Sequence, residues 1–294
     1  MNKILHFKKP DETYRSLLSC SPKVDQLFIK GKFPELLDDI NHKIRVGIVG
    51  TRDATLAGLN DARRLAQVVS KHGGIVVSGM ALGIDGAAHQ GALDITGKTI
   101  AVLGSGVDII YPNRHTQLSR EIENRGCIIS EFNCGTKALP WHFPIRNRII
   151  AALCEVLVVP EGTLKGGARI TVDLALAMGK TVCAIPGPRR NRASELPNSI
   201  IKDGAVCITD PSDVLNEMGI DCENVGWELE SKTTKALDLD SKPKEILQQL
   251  AHKPLSTFEI SNICNFSQSE TTALLISLEQ HGHVRFQRGM YEIC

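Results

Sequence analysis

Four segments, three of them glycine-bearing, carry residue types able to hold a phosphate or stack a base. Gly47-Ile48-Val49-Gly50-Thr51-Arg52 is an apolar run ending in a glycine, with a helical stretch after it. A glycine there lets backbone approach a ligand closely, and the next helix offers free N–H groups and a positive dipole end. Arg52 adds a guanidinium able to grip phosphate through two donors, its alternative being a surface ion pair. Ser78-Gly79-Met80-Ala81-Leu82-Gly83-Ile84-Asp85 repeats the device, with Gly79 and Gly83 bracketing the turn. Asp85 and His89 follow four apart on one helix face and read as structural, because no nucleophile or metal ligand accompanies them. Trp141-His142-Phe143-Pro144-Ile145-Arg146-Asn147-Arg148 is a proline-bounded loop running into a helix, with aromatic and basic residues interleaved. Aromatic faces stack bases of any sequence while arginine follows the phosphates. Phe143 has a second reading, as a core plug under the loop. Arg146 and Arg148, two apart on a helix, point in different directions, so they do not both reach one ligand. Pro160–Ala168 is the last such segment, with Lys165 for charge and Gly166 and Gly167 for exposed backbone N–H groups.

Other chemistries lack their residues. There is no G-x-G-x-x-G array after the first run and no G-x-x-x-x-G-K-[S/T] anywhere, which disfavours a nicotinamide cofactor and removes a P-loop. The nine cysteines are odd in number and scattered, without a C-x-x-C pair, against both a disulfide framework and a thiolate zinc site. His281 and His283 form the one close histidine pair and have no cysteine at metal spacing. No catalytic residue, metal or cofactor is expected.

These segments need a scaffold. Short β-rich apolar runs at Val46–Val49, Ile75–Ser78, Thr99–Leu103, Cys127–Ser130, Val156–Val159, Thr181–Ile185 and Ala205–Ile208 alternate with helical stretches such as Asp61–Lys71 and Arg169–Met178. Continuous rather than alternating apolarity suits strands buried on both faces. The expected fold is therefore α/β, a mostly parallel sheet with helices on both sides, binding its ligand outside the carboxyl ends of the strands. Residues 1–42, weakly patterned, should wrap this core as short helices. Residues 43–221 form the sheet domain and 222–242 a polar linker. Residues 243–294 then form a small domain: helices at Lys244–Ala251, Thr257–Cys264 and Ser267–His281, and strands at His283–Phe286 and Met290–Ile293, the outline of a winged helix.

The chain of 294 residues is 42% hydrophobic and 23% charged, suited to one α/β domain plus a smaller one. Its net charge of +1 taken alone favours no nucleic-acid role; a binder with this balance must concentrate positive charge locally. No signal peptide and no apolar stretch near ~20 residues is visible, so a cytoplasmic protein is expected, in a reducing compartment.

The ordered set Gly47–Arg52, Ser78–Asp85 with Ala87-Ala88-His89, Ala101–Gly106 followed by Tyr111-Pro112, and His142–Ile149 closely resembles the DprA/Smf family. Ile185-Pro186-Gly187 and Asn198–Ala205 look like it too, so the likeness covers about residues 20–217. The resemblance implies an extended Rossmann-like fold that binds single-stranded DNA without sequence preference, dimerises, and loads a RecA-type recombinase during natural transformation. Its DNA pocket falls on Gly50, Thr51 and Arg52, on Gly79 and Gly83 with Met80 and Ala81 between them, on Phe143 as the stacking aromatic, and on Arg146, Asn147 and Arg148. The C-terminal segment is similar to the winged helix of many members. The chain departs from the family at Leu82, where many members carry a basic residue, and at Pro140, where some carry a lysine, Lys137 standing near. It departs again at Gly166-Gly167-Ala168, which lacks the usual hydroxyls. These departures bear on the strength of phosphate binding. The alternative is a nucleotide phosphoribohydrolase of the lysine-decarboxylase-like (LOG) group. That group's signature glutamate is missing after Thr171, where the next acid is Asp173.

Overall fold

The computed structural model describes residues 4–9, 14–32, 44–95, 97–229, 241–250, 254–280, 284–287 and 289–293. The chain divides into two compact units, Met1–Lys232 and Thr233–Cys294.

The first unit is built on β1 (Ile4–Lys8), β2 (Gln26–Gly31), β3 (Arg45–Ile48), α1 (Leu56–Lys71), β4 (Ile75–Ser78), α2 (Ile84–Asp94), β5 (Lys98–Val102), α3 (Thr116–Arg125), β6 (Cys127–Ser130), α4 (His142–Leu153), β7 (Val156–Val159), α5 (Gly167–Ala177), β8 (Thr181–Ala184), α6 (Glu195–Lys202), β9 (Val206–Cys207) and α7 (Asp213–Asn216). Among the described residues these strands make one nine-stranded sheet in the order β1-β2-β6-β5-β4-β3-β7-β8-β9. From β6 to β9 every pairing is parallel. Each expected apolar run supplies a strand, and the two quoted helical stretches fall on α1 and α5.

Successive residues of one strand go to opposite cores. Ile75 and Val77 pack with Ile100, Ile129 and Ile149 on one face of the sheet. Val76, between them, packs with Leu65, Ile84 and Val158 on the other. Burial on both faces is why these strands read as unbroken apolar runs.

The N-terminal expectation needs correcting. Residues 1–42 do not wrap the core as short helices: β1 and β2 extend the sheet, β2 running antiparallel to β6 and β1 antiparallel to β2. Only a single 3-10 turn, Arg15–Ser19, is helical among the described residues of that stretch. Leu27 and Ile29 enter the core on one face of the sheet and Phe28 between them enters that on the other, so β2 carries only three buried positions between the partly exposed Gln26 and Lys30, too short a run to stand out.

The second unit holds α8 (Ser241–Leu250), α9 (Thr257–Ile263), α10 (Gln268–Gln280) and a hairpin of β10 (Val284–Gln287) and β11 (Met290–Ile293). It has its own core, including Ile246, Leu250, Leu255, Ile260, Leu275, Leu278 and Val284. Helix α9 starts at a reciprocal cap: Ser256 accepts from the Glu259 N–H, and the Glu259 carboxylate accepts from the Ser256 N–H and hydroxyl. Among the described residues no helix is long and apolar enough to cross a membrane.

Candidate nucleic-acid interface

The parallel strand order reverses between β4-β3 and β3-β7, and a crevice opens where the chain leaves those strands at their carboxyl ends. The crevice has a volume of about 550 Å³. Its walls come from the turns after β3 and β4, from Tyr111, from the first turns of α4 with the segment before it, and from the segment between Gly162 and Thr171.

Backbone contacts fuse these turns. The Thr51 N–H donates to the Glu161 carbonyl at 2.9 Å, and the Ile84 N–H donates to the Thr51 carbonyl at 3.2 Å. Gly50 lies in the middle: a Cβ there would stand 2.5 Å from both the Glu161 oxygen and Ile84 Cγ1. Only glycine allows three turns to meet at that point. Gly83 has a positive φ of 76°, and a Cβ on it would lie 2.3 Å from the Thr51 oxygen. Glu161 is buried, its carboxylate accepting from the Thr55 N–H (2.8 Å) and hydroxyl (2.6 Å) at the start of α1. It is a strut between two turns.

Phe143 sits in the first turn of α4, which begins at His142, one turn earlier than the expected loop. Pro144 is compatible with that helix because a first-turn N–H has no intrahelical partner to lose. His142 fixes the helix start: its Nδ1 donates to the Gly104 carbonyl at 3.0 Å and its ring stacks on Phe132. Phe143 is half-buried and lines the crevice. The exposed Arg52 guanidinium lies over the ring, 5.0 Å from its centroid, Arg146 is 6.0 Å away, and Tyr111 approaches at 5.8 Å.

Arg146 is buried at 3% exposure, yet it lines the crevice. Its Nη1 donates to the Val102 carbonyl at 2.8 Å, and its Nε has no partner among the described residues. Burial lowers its pKa to about 10, opposed by Asp85 and assisted by Arg52, so it remains a cation at neutral pH. Asp85 accepts from the Gly79 N–H at 3.1 Å; burial raises its pKa, against the pull of Arg146 and of backbone N–H groups. A cation whose side chain lines the crevice is able to draw an anionic or carbonyl oxygen to that wall. Asp85 and His89 share no bond: His89 Nδ1 meets the Thr99 hydroxyl at 2.7 Å, and desolvation holds the ring neutral with a pKa near 3.

Of the residues expected to bind, Gly50, Thr51, Arg52, Ala81, Phe143, Arg146, Asn147, Gly166 and Gly167 line the crevice together. Asn147 also donates to the Gly167 carbonyl at 3.3 Å, tying α4 to the last turn. Gly79, Met80 and Gly83 shape the second turn from behind; Met80 is fully buried with φ 56°. Arg148 is elsewhere. It pairs with Glu131 at 2.6 Å and donates to the Pro22 and Lys23 carbonyls, holding the N-terminal segment. Lys165 and Lys137 are exposed and do not line the crevice. Tyr111, Thr163 and Thr171 line it without having been assigned a role, although Tyr111-Pro112 stood among the residues carrying the resemblance. Asp173, the acid left for the hydrolase alternative, pairs with Arg169 at 2.9 Å and is half-exposed outside the crevice. Among the described residues no cluster of His, Cys, Asp and Glu is placed to hold a metal; His281 and His283 lie outside them.

A mostly parallel α/β sheet with a basic, aromatic crevice at its switch point defines a Rossmann-like binding protein. Residues 6–219 match the family described as DNA recombination-mediator protein A, and the chain belongs to that family. It is similar to Protein Smf of Escherichia coli, 36% identical over 69% of this chain and 53% of the relative. It is also similar to DNA processing protein DprA of Streptococcus pneumoniae, 38% identical over 65% of this chain and 66% of the relative. The chain thus spans about half to two thirds of these relatives. The solved structure of the Streptococcus pneumoniae protein shares its fold, with a TM-score of 0.68 at 36% identity, covering 75% of this chain and 76% of that one. DNA processing protein A from Helicobacter pylori, whose structure was described for its unique single-stranded DNA binding mode, superposes with a TM-score of 0.66 at 26% identity, covering 74% and 98%.

Proposed function

We propose that this chain binds single-stranded DNA without sequence preference in the crevice at the carboxyl ends of β3, β4 and β7. The observation that carries the reading is Phe143, a half-buried ring open to the crevice with Arg52 and Arg146 beside it. A base stacks on the ring while the guanidinia take the flanking phosphates. A stacked base in a duplex has no free face to offer, so single strands are preferred. Glycine-lined walls and the Asn147 and threonine groups suit the sugar–phosphate backbone rather than one base edge, which is why no sequence is selected.

The family and the described binding mode of the Helicobacter pylori relative support this reading. By the same resemblance the chain acts as a dimer in the cytoplasm, hands its strand to a RecA-type recombinase during transformation and recombination, and has no enzymatic step of its own. Its second unit, three helices and a hairpin, serves as a winged helix. The experiment is oligo-dT against blunt duplex at one salt concentration, with Arg52→Ala alongside. Single strands should bind well above duplex. The variant should lose about 1–3 kcal/mol of binding, the size of a charge-assisted contact, without losing its fold. Equal affinity for both DNA forms refutes the reading.

A further inference from the structure

Beyond β8 the chain makes a loop, Gly187-Pro188-Arg189-Arg190-Asn191-Arg192-Ala193-Ser194, with three arginines and no acid. Arg189, Arg190 and Arg192 are all exposed, and none forms an ion pair among the described residues. The loop is held in place. At its start the Asn198 side chain takes the Gly187 N–H at 3.1 Å and donates to the Gly187 carbonyl at 2.9 Å. In its middle the Asn191 side chain accepts from the Ala193 N–H at 3.0 Å. At its end the loop bonds to the crevice itself: the Gly162 N–H donates to the Ala193 carbonyl at 2.6 Å, and the Leu196 N–H donates to the Gly162 carbonyl at 3.0 Å. Gly162 is a crevice-lining residue. Arg192 is therefore one residue from a backbone bonded to the crevice wall, and exposed Lys165 is three residues from Gly162 on the same segment.

We propose that Arg189, Arg190 and Arg192 are a second phosphate-binding track that extends the crevice along the strand. Building on the single-stranded DNA reading above, they hold the phosphodiester backbone of nucleotides just outside the crevice. With the loop backbone already held, only the arginine side chains need ordering when a phosphate arrives, and the guanidinium fork fits phosphate oxygens. A chain whose net charge is only +1 must gather its positive charge where a polyanion lies, and this loop gathers three without an acid among them. The Gly187–Asn198 clamp, carried by two stretches of the family resemblance, becomes the device that presents the track.

The test compares a long oligo-dT of about 30 nucleotides with the shortest oligo-dT that the parent protein binds measurably, which fills the crevice alone. The combined Arg189→Ala, Arg190→Ala, Arg192→Ala variant should bind the short oligonucleotide as the parent does. For the long one, the slope of log affinity against log salt should become shallower by about 2, since each single-strand phosphate contact contributes roughly 0.7. Lysine at the same three positions should restore most of the slope, because a point charge also releases counterions. Parent-like binding of the long oligonucleotide overturns the proposal and leaves the arginines for another partner, such as an acidic protein surface. Equal losses on both lengths overturn it too, as the loop would then only be supporting the crevice. Arg52→Ala, measured beside it, reports separately on the crevice: it should weaken both lengths. If it weakens neither, the DNA reading itself fails, whatever the loop does.

Discussion

Gly79→Ala adds one methyl group behind the crevice and should disable it. The Cβ would stand 1.6 Å from Arg146 Nη1, 2.4 Å from Cζ and 2.6 Å from Nη2, whereas ordinary contacts need about 3.5 Å. The guanidinium must retreat by roughly 2 Å. Nη1 then leaves the Val102 carbonyl that it now meets at 2.8 Å, a charge-assisted bond worth about 1.5–3 kcal/mol. Asp85, on the turn beyond, loses the nearby cation that offsets its burial. The free space adjoining Arg146 is the crevice, so the displaced group moves into the volume that a nucleotide would occupy. The expected result is a loss of about 1.5–3 kcal/mol in stability, a fall in Tm of roughly 3–12 °C for a unit of this size, and about a tenfold or greater loss of oligo-dT affinity. Thermal unfolding and fluorescence anisotropy on the same samples measure both. A double-mutant cycle isolates the cause: with Arg146→Ala in place, Gly79→Ala has nothing to displace and should add little. Losses that simply add would refute the steric reasoning and place the effect of Gly79→Ala in the turn's backbone.

Three further outcomes are expected. Phe143→Ala should lower oligo-dT affinity by about 1–3 kcal/mol while Phe143→Trp retains it, and the half-buried ring should cost much less than the ~3–5 kcal/mol of a core phenylalanine; paired melting and binding curves decide between platform and plug. His89 is held neutral in the fold with a pKa near 3, below its unfolded value of about 6.5, so between these values the unfolded chain binds the extra proton. Its contribution is complete above about pH 6.5 and falls by up to ~1.4 kcal/mol per pH unit below it; acid unfolding of His89→Gln should be less steep than that of the parent over this window. A chain ending at Lys232 should fold and bind oligo-dT, since the second unit has its own core; failure to melt cooperatively would show that the units depend on one another.

The sequence by itself determined the parallel sheet and the turns that build the crevice. A run such as Val156–Val159 is apolar at every position because helices cover both sheet faces, and the switch-point turns announce themselves by glycines that no other residue replaces. Three helices and a hairpin at the C-terminus were equally legible, each being a local pattern. The N-terminal strands were not. Ile4–Lys8 and Gln26–Gly31 are short and mixed, and β2 finds its partner, β6, about a hundred residues away, where no local periodicity records the pairing. Nor did the sequence say which arginine faces the crevice. Arg146 and Arg148 differ by two positions on α4, so the helix puts them on different sides, but it does not say which side is wet with ligand. Packing decided that. Glu131 and the Pro22 and Lys23 carbonyls claim Arg148 from one direction, while the end of β5 and the Asp85 turn hold Arg146 at the crevice wall from the other. Those partners are brought together from separate parts of the chain, and only the assembled sheet sets them around one helix.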